Sequence, residues 1–222
     1  MSYMWNEFNI KTFPAETIVF RDGVYCPELS TLEYAPINKK YELPVHIIYI
    51  GEITGKCRLD INVGVDNQKI VLSAKITNKT PAFLNIFIKN AGKNSEITGS
   101  VIMENYSELD YDCNARHLAE NTTIAIKNKL LASKTSVSKL SGVAIIDKHC
   151  INCKSDIGFT AMAEQGAKIE FLPAQRISAE PIAADHSAAI YEPTEFQIQY
   201  LRQAGLGTFE VRDALKEAFT NE

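Results

Sequence analysis

Between about Glu42 and Ile190 the chain consists of short segments in which apolar and polar residues alternate. An alternation of period two predicts β-strands with one buried and one solvated face, whereas an amphipathic helix requires a period of 3.6 residues. In residues 82–90, Leu84, Ile86 and Ile88 share one face. The same pattern appears at Ile97, Gly99, Val101 and Met103, and at Leu109, Tyr111 and Cys113. The chain is therefore expected to be mainly β.

Turn signals such as NKTP and KNAGKN separate these segments. Short strands joined in this way are typical of a sandwich, a barrel or a β-solenoid, since each covers one apolar face and protects the strand edges. Periodicity alone does not choose among the three architectures. No strict repeat length emerges, which speaks against a solenoid, although irregular β-helices accept loops of variable length.

Three regions follow from these patterns. Residues 1–40 are a leading segment, in which residues 13–26 suggest a strand and residues 26–36 an extended path along the surface. Residues 41–190 form the β body. Residues 191–222 are helical, with Pro193 in the first turn of one helix, Gly205 and Gly207 as its stop, and Thr208 as the cap of a second helix.

The helical tail carries an apolar face on each helix. Two such short helices are marginally stable alone, so their apolar residues must dock on the β body or on another protein. The residues expected to bind a partner are Phe196, Tyr200, Leu201, Val211, Leu215 and Phe219.

Composition excludes several classes of function. The net charge of -4 and the scattered basic residues argue against binding to nucleic acid or anionic lipid. No signal-peptide pattern and no apolar run of about 20 residues occurs, so a cytoplasmic protein is expected. Five cysteines, an odd number, favour reduced thiols over a disulfide framework. No phosphate loop, nucleophile elbow or zincin helix is present, so we expect no enzyme and no bound ATP.

The stretch KHCINCK holds a Cys-x-x-Cys pair, Cys150 and Cys153, beside His149. Thiolates at this spacing can hold one soft metal or one edge of an iron–sulfur cluster. The pair is half of a four-ligand site, and the alternative is a loop with two incidental thiols.

Residues 117–142 and 172–219 resemble the core domain shared by SufB and SufD, the scaffold proteins of the SUF iron–sulfur cluster assembly machinery. The residues that carry the resemblance are His117-Leu118, Asn121-Thr122, Lys127 to Leu130, Gly142, Pro173, Ile177, His186, Ala188, Phe196, Tyr200-Leu201, Gly205-Leu206, Ala214 and Phe219. The large N-terminal region of longer members is absent, so the chain is similar to a core-only version.

The resemblance implies a right-handed parallel β-helix, or β-solenoid, followed by a short helical segment that docks a SufC-like ABC ATPase. It also implies pairing of two such β-helices, as a homodimer or a heterodimer, and a transient iron–sulfur cluster. Any ATP hydrolysis would then belong to the partner.

The same resemblance singles out His186 as a metal ligand near the subunit interface, with Asp185 able to orient the ring or to hold charge near the metal. Two positions depart from the SufB pattern. Ser187 stands where SufB members typically have a second carboxylate, and Gly158 stands where they carry a cysteine.

The metal ligands expected are therefore His186, Cys150, Cys153 and Asp185. Two other functions remain open. The chain could be a structural partner of the ATPase without cluster ligands, or a small metal-dependent β-fold enzyme that uses His186, Asp185 and His149.

Overall fold

The computed structural model of the protein describes residues 16–180 and 183–221, so residues 1–15 of the leading segment lie outside the described residues. In the described part, thirteen strands form two sheets. Sheet A contains β1 (Thr17–Arg21), β2 (Val24–Tyr25), β3 (Val45–Glu52), β5 (Lys69–Asn78), β7 (Glu96–Asn105), β9 (Thr123–Ala132), β11 (Lys154–Ala163) and β13 (Ala183–Tyr191). Sheet B contains β4 (Gly55–Val63), β6 (Ala82–Asn90), β8 (Glu108–His117), β10 (Val137–Ile146) and β12 (Lys168–Ile177).

From β3 onward the chain alternates between the two sheets, and each strand pairs in parallel with the strand two positions away. Lys69 of β5 lies beside Glu96 of β7, which lies beside Thr123 of β9. The chain therefore winds through about six turns of a parallel β-solenoid. The expected mainly β class and the β-solenoid architecture are confirmed, and the sandwich and the barrel are excluded.

The absence of a strict repeat in the sequence has a structural cause. Lys93 and Glu120, which form an ion pair between neighbouring turns, are 27 residues apart, whereas Thr122 and Cys153 are 31 residues apart. The later turns contain longer loops outside the strands. Each strand still falls in register with its neighbour, so insertions in the loops do not disturb the sheets.

One corner of the solenoid keeps a constant conformation from turn to turn. Its residues share a left-handed backbone with φ between 55° and 58°: Asn67, Asn94, Asn121 and Asn152. Asparagine visits this region more readily than most residues because its short polar side chain can bond locally. The residue after each asparagine is buried, and these residues are Gln68, Ser95, Thr122 and Cys153.

The interior is built from the inward faces of both sheets. Leu84, Ile86 and Ile88, which were assigned to one face from the sequence, are fully buried. In sheet A one inward row follows the register through Ile47, Leu72, Gly99, Ile126, Ile157 and His186. The row is apolar until the last turn, where a histidine follows the isoleucine.

The two ends of the solenoid differ. The first end is closed by the β1–β2 hairpin and an aromatic cluster, in which the Phe20 and Tyr34 rings meet edge to face at 4.7 Å. Tyr25 and Tyr49 complete this cluster. At the other end, β12 and β13 are the outermost strands of their sheets, and no described strand pairs with their outer edges.

Two helices follow β13: α1 (Glu195–Gln203) and α2 (Thr208–Asn221). The first helix starts after Pro193 rather than at it, because Thr194 is the N-cap and forms a reciprocal capping box with Gln197. Gly205 ends it with φ of 93°, while its amide and that of Leu206 bond back to the last turn. Within the described residues, no helix has the length and apolar character needed to cross a membrane.

The second helix packs on the outer face of sheet A. Phe219 and Leu215 contact Leu131, Met162 and Tyr191, and the Phe219 and Tyr191 rings stack with centroids 6.2 Å apart. Polar contacts surround this apolar patch. Glu164 forms ion pairs with Arg212 and Lys216, and Lys129 Nζ donates to the Phe219 carbonyl at 2.8 Å.

Candidate functional site

His186 occupies the inward face of β13, beside Ile157 of the preceding turn. Both of its ring nitrogens are shielded from solvent, and neither has a hydrogen-bond partner among the described residues. Burial lowers the pKa of His186, an effect that the nearby Asp156 carboxylate partly opposes. The ring is therefore neutral at physiological pH and offers a bare nitrogen, which is the form that ligates metals.

Asp185 lies on the opposite side of the same strand. Successive residues of a strand point to opposite faces, and Asp185 is exposed beside Asp156, while His186 faces the interior. Asp185 is thus not placed to orient the imidazole. Ser187 also lies on the outer face, beside Gly158, so both departures from the SufB pattern occur on the surface and not next to the ring.

Cys150 and Cys153 lie in the loop between β10 and β11 and are fully buried. Cys150 Sγ donates to the His117 carbonyl at 3.3 Å, and Cys153 Sγ donates to the Ala119 carbonyl at 3.3 Å. The two thiols pack against Ile146, with alanines of the next turn covering them. Burial raises the pKa of Cys150, so its thiol stays protonated at neutral pH.

A buried histidine that sequence reasoning did not select as a site residue lies beside these thiols. His117 Nδ1 is 2.7 Å from Thr122 Oγ1, which lies 3.2 Å from Cys153 Sγ. Nε2 of His117 is buried without a partner among the described residues. Because desolvation lowers the pKa of His117 to about 4, the ring is neutral.

The arrangement around His117 repeats one found a turn earlier. Asn90 pairs in register with His117, and its side chain bonds the hydroxyl of Ser95 as His117 bonds that of Thr122. Cys153 occupies the next position of the same corner. The sequence signal is the polar residue that follows Asn67, Asn94 and Asn121, and Cys153 follows Asn152 in the same way, so it belongs to the lining of the corner.

The other thiols are separate from this corner. Cys113 is fully buried on the inward face of β8, and burial raises its pKa to about 12. Its expected role as a small buried residue agrees with this position. Cys26 is also buried, and Cys57 is partly exposed near the aromatic cluster.

The four expected metal ligands do not meet within one chain. Cys153 immediately precedes β11, and Ile157, the neighbour of His186, lies four residues farther along that strand. At about 3.3 Å per residue, the Cys153 and His186 positions are roughly 13 Å apart. His149 is exposed, with Nε2 3.3 Å from the Leu118 carbonyl. Across the described residues, no three His, Cys, Asp or Glu side chains are grouped to hold a metal ion.

The last turn exposes apolar side chains around its unpaired edges. Ile190 of β13 is 51% exposed, and Ile177 of β12 and Leu172 are also exposed. Unpaired strand edges next to apolar side chains form a template for pairing with another chain. His186 thus lies in the turn whose edges are available to a second protein.

The residues expected to bind a partner fall into two groups. Val211, Leu215 and Phe219 turn toward the protein's own body, with Phe219 only 7% exposed. Leu201 is half-buried. Phe196 and Tyr200, one helical turn apart on α1, are 77% and 64% exposed.

Phe209 at the start of α2 is 80% exposed and was not among the residues expected to bind a partner. Val211 and Leu215 repeat at the helical spacing of the buried face, and Phe209 does not fit this spacing. That mismatch is the sequence signal that could have identified it as exposed. Three exposed aromatic rings therefore remain on the helical tail after α2 has docked.

Comparison with known protein families identifies one relationship. Residues 53–219 match the family model described as SUF system FeS cluster assembly, SufBD core domain. The match covers most of the solenoid and both helices up to Phe219. No curated protein matches the chain.

Proposed function

Because the chain belongs to the SufBD core family of SUF iron–sulfur cluster assembly, we propose that it is a scaffold subunit of that machinery. In this role its solenoid pairs with a second such solenoid at the uncovered last turn, and its helical tail binds a SufC-like ABC ATPase. Nucleotide-driven movement of the ATPase then opens the seam between the subunits. Free thiols at all five cysteines suit a reducing compartment such as the cytoplasm.

The observation that carries this proposal is His186 in the uncovered turn. Ring nitrogens shielded from solvent without hydrogen bonds are costly, and their presence beside two unpaired strand edges suits a group that acquires a partner there. The cluster is cargo that passes through the site, and the second subunit supplies the other ligands. A homodimer would bring two copies of His186 to the seam.

Cys150 and Cys153 contribute differently from the original expectation. Both thiols donate to backbone carbonyls in a closed corner, so they reach a cluster only if the loop between β10 and β11 opens. The proposal therefore rests on His186 as the ligand that the closed chain can offer at the seam.

The helical tail supports the proposal for the ATPase. Phe196, Tyr200 and Phe209 expose three aromatic rings, the side chains most often found at the centre of protein interfaces. The contacts of α2 with sheet A hold this surface next to β13.

The ATPase interaction is tested by titrating a SufC-like ATPase with the Phe196→Asp, Tyr200→Asp double variant. Each central aromatic anchor is expected to contribute about 2 kcal/mol, so affinity should fall by at least roughly 30-fold. The control is Ile151→Asp, an exposed apolar residue in the loop before β11. Equal affinity of the double variant and the wild type would contradict this part of the proposal.

Subunit pairing is tested by sedimentation of Ile190→Lys. A charge at the last turn should shift the protein to monomer, whereas Val24→Lys at the closed end should not, although Val24 is 65% exposed. If the protein is a monomer throughout, the same pair of variants is compared with the sister subunit. Pairing that withstands Ile190→Lys would place the seam elsewhere.

Ligation is tested by anaerobic reconstitution with iron and sulfide. His186→Ala should lose most of the bound cluster, measured by its visible absorbance, and His149→Ala should retain it. Retention of the cluster by His186→Ala, together with normal binding of the ATPase, would favour the second candidate, a structural partner without ligands. The closed position of Cys150 and Cys153 is the observation that keeps this candidate open.

A further inference from the structure

A cavity of about 290 Å³ lies between the C-terminal end of α2 and the outer face of sheet A. Its floor is formed by three neighbouring strands, β9, β11 and β13, and Phe219 forms one wall. The polar residues that line it are Lys127, Asn128, Lys129, Asp156, Thr160 and Ser187. This cavity is on the opposite side of the sheet from His186, so it is separate from the proposed cluster site.

Two charged residues of this cavity, Lys127 and Asp156, are not paired with each other. Lys129 is engaged with α2 through the Phe219 carbonyl. Lys127 and Asp156 form no ion pair with any part of the chain that the structure describes, although they line the same space. Lys127 and Asp156 therefore offer this cavity one ammonium donor and one carboxylate acceptor.

The central residue of the cavity floor is a glycine, Gly158. Gly158 lies between Lys127 and Ser187 in the register of sheet A. A Cβ at this position would lie 2.8 Å from Ser187 Oγ, which is closer than real contacts allow. Because Gly158 has no side chain, the Ser187 hydroxyl can pack directly over it at the cavity floor.

We propose that this cavity binds a small α-hydroxy or α-amino carboxylic acid. The carboxylate of the ligand pairs with Lys127, and the hydroxyl or ammonium group donates to Asp156. A charge-assisted hydrogen bond to each end fixes the orientation of the ligand. The Ser187 and Thr160 hydroxyls supply further contacts. This proposal does not depend on the proposed role in cluster assembly.

The position of α2 determines whether the site is complete. Phe219 is both an anchor of the helix and a wall of the cavity. The site therefore exists only while α2 is docked, and a ligand that fills it stabilises the docked helix by mass action. Ligand binding in the cavity is in this way linked to the docking of α2.

The test is a titration of the full chain with three acids that differ at one group: lactate, alanine and propionate. Amide shifts of Gly158 and Thr160 in ¹⁵N NMR report binding. Lactate or alanine should give saturable shifts at both amides, and propionate, which lacks the donor, should bind at least about tenfold more weakly. Lys127→Ala should weaken binding about tenfold, and Lys139→Ala, on the outer face of sheet B, should leave it unchanged.

The Asp156→Asn variant completes the design. It should remove the preference for lactate or alanine over propionate. The proposal is overturned if neither acid shifts these amides, if Lys127→Ala binds as the wild type does, or if propionate binds equally well. Inorganic phosphate serves as a further probe, and binding of phosphate as tight as that of lactate at the same amides would also overturn it, because Asp156 would then have no role.

Discussion

Replacing Phe219 by alanine should release α2 from the solenoid without unfolding the strands. Phe219 is the largest buried side chain of the helix, and it packs against Leu131, Met162 and Tyr191 of sheet A. The matched control is Phe209→Ala, which changes the same residue type in the same helix at a position that is 80% exposed. Comparing the two separates anchoring from helix propensity.

The magnitude follows from the contacts of the ring. Deleting a buried phenylalanine side chain costs about 3–5 kcal/mol in a protein core. Phe219 lies at the edge of a docked helix, so the lower value of about 3 kcal/mol applies. Alanine is the better helix former by about 0.5 kcal/mol, which offsets part of this loss. The net change of roughly 2.5 kcal/mol corresponds to about 70-fold faster opening-limited amide exchange in α2.

Hydrogen exchange read by mass spectrometry or NMR measures this difference directly. Amides of α2 should exchange roughly 70-fold faster in Phe219→Ala, those of β5 and β7 should be unchanged, and Phe209→Ala should change exchange in α2 by no more than about twofold. If the α2 amides exchange as in the wild type, Phe219 is not the anchor. If the strand amides accelerate by the same factor, the helix and the solenoid are one cooperative unit and the reasoning fails.

Three further predictions concern the corner of the solenoid, and urea unfolding checks each of them. Burial lowers the pKa of His117 from 6.5 to about 4. As the pH falls through this window, the unfolded chain takes up the proton before the folded chain does. The free energy of unfolding should therefore decrease, by up to about 3 kcal/mol. The His117→Asn variant copies Asn90 of the preceding turn. It should show a weaker dependence of the free energy of unfolding on pH than the wild type, since His186 is present in both. Identical pH profiles would show that His117 is not the group responsible. Cys153→Ser should alter the free energy of unfolding by less than about 0.5 kcal/mol, because a hydroxyl can make the same hydrogen bonds as the thiol, and a loss above about 2 kcal/mol would show a role beyond this lining. Asn121→Ala should lower the free energy of unfolding by about 1 kcal/mol, because alanine tolerates the left-handed backbone less well. Asn121→Gly should leave it unchanged, because glycine adopts this conformation readily. Equal losses in the two variants would refute the backbone explanation.

Much of the fold is predictable because strand alternation depends only on the side-chain period. Leu109, Tyr111 and Cys113 were assigned to one face from the sequence, and all three are buried. The architecture was harder to predict, since a solenoid is recognised by its repeat and here the repeat length changes from 27 to 31 residues. The left-handed asparagines mark the turns, but they are single residues in loops of unequal length.

The candidate site was less predictable than the fold. Asp185 and His186 are adjacent in sequence and were interpreted as one site, yet the same alternation that identifies the strand places them on opposite faces. Cys150 and Cys153 have a metal-ligand spacing, but spacing within a loop does not show whether a thiol faces solvent or a carbonyl group. Only the pairing of Thr122 with Cys153 shows that the second thiol continues the polar corner.

The two ends of the solenoid differ in how their strand edges are covered. Aromatic rings and the β1–β2 hairpin cover sheet A at the first end, whereas the outer edges of both β12 and β13 have no described strand beside them. His186 and Tyr191 belong to the same strand, and Tyr191 stacks on Phe219 of α2. Through this stack α2 directly contacts the strand that carries the unpartnered histidine. This short connection is the physical reason to expect that partner binding at the helices and pairing at the last turn influence each other. The Phe219→Ala variant breaks the connection but leaves the exposed aromatic rings of the tail intact. We therefore expect this variant to uncouple the two events.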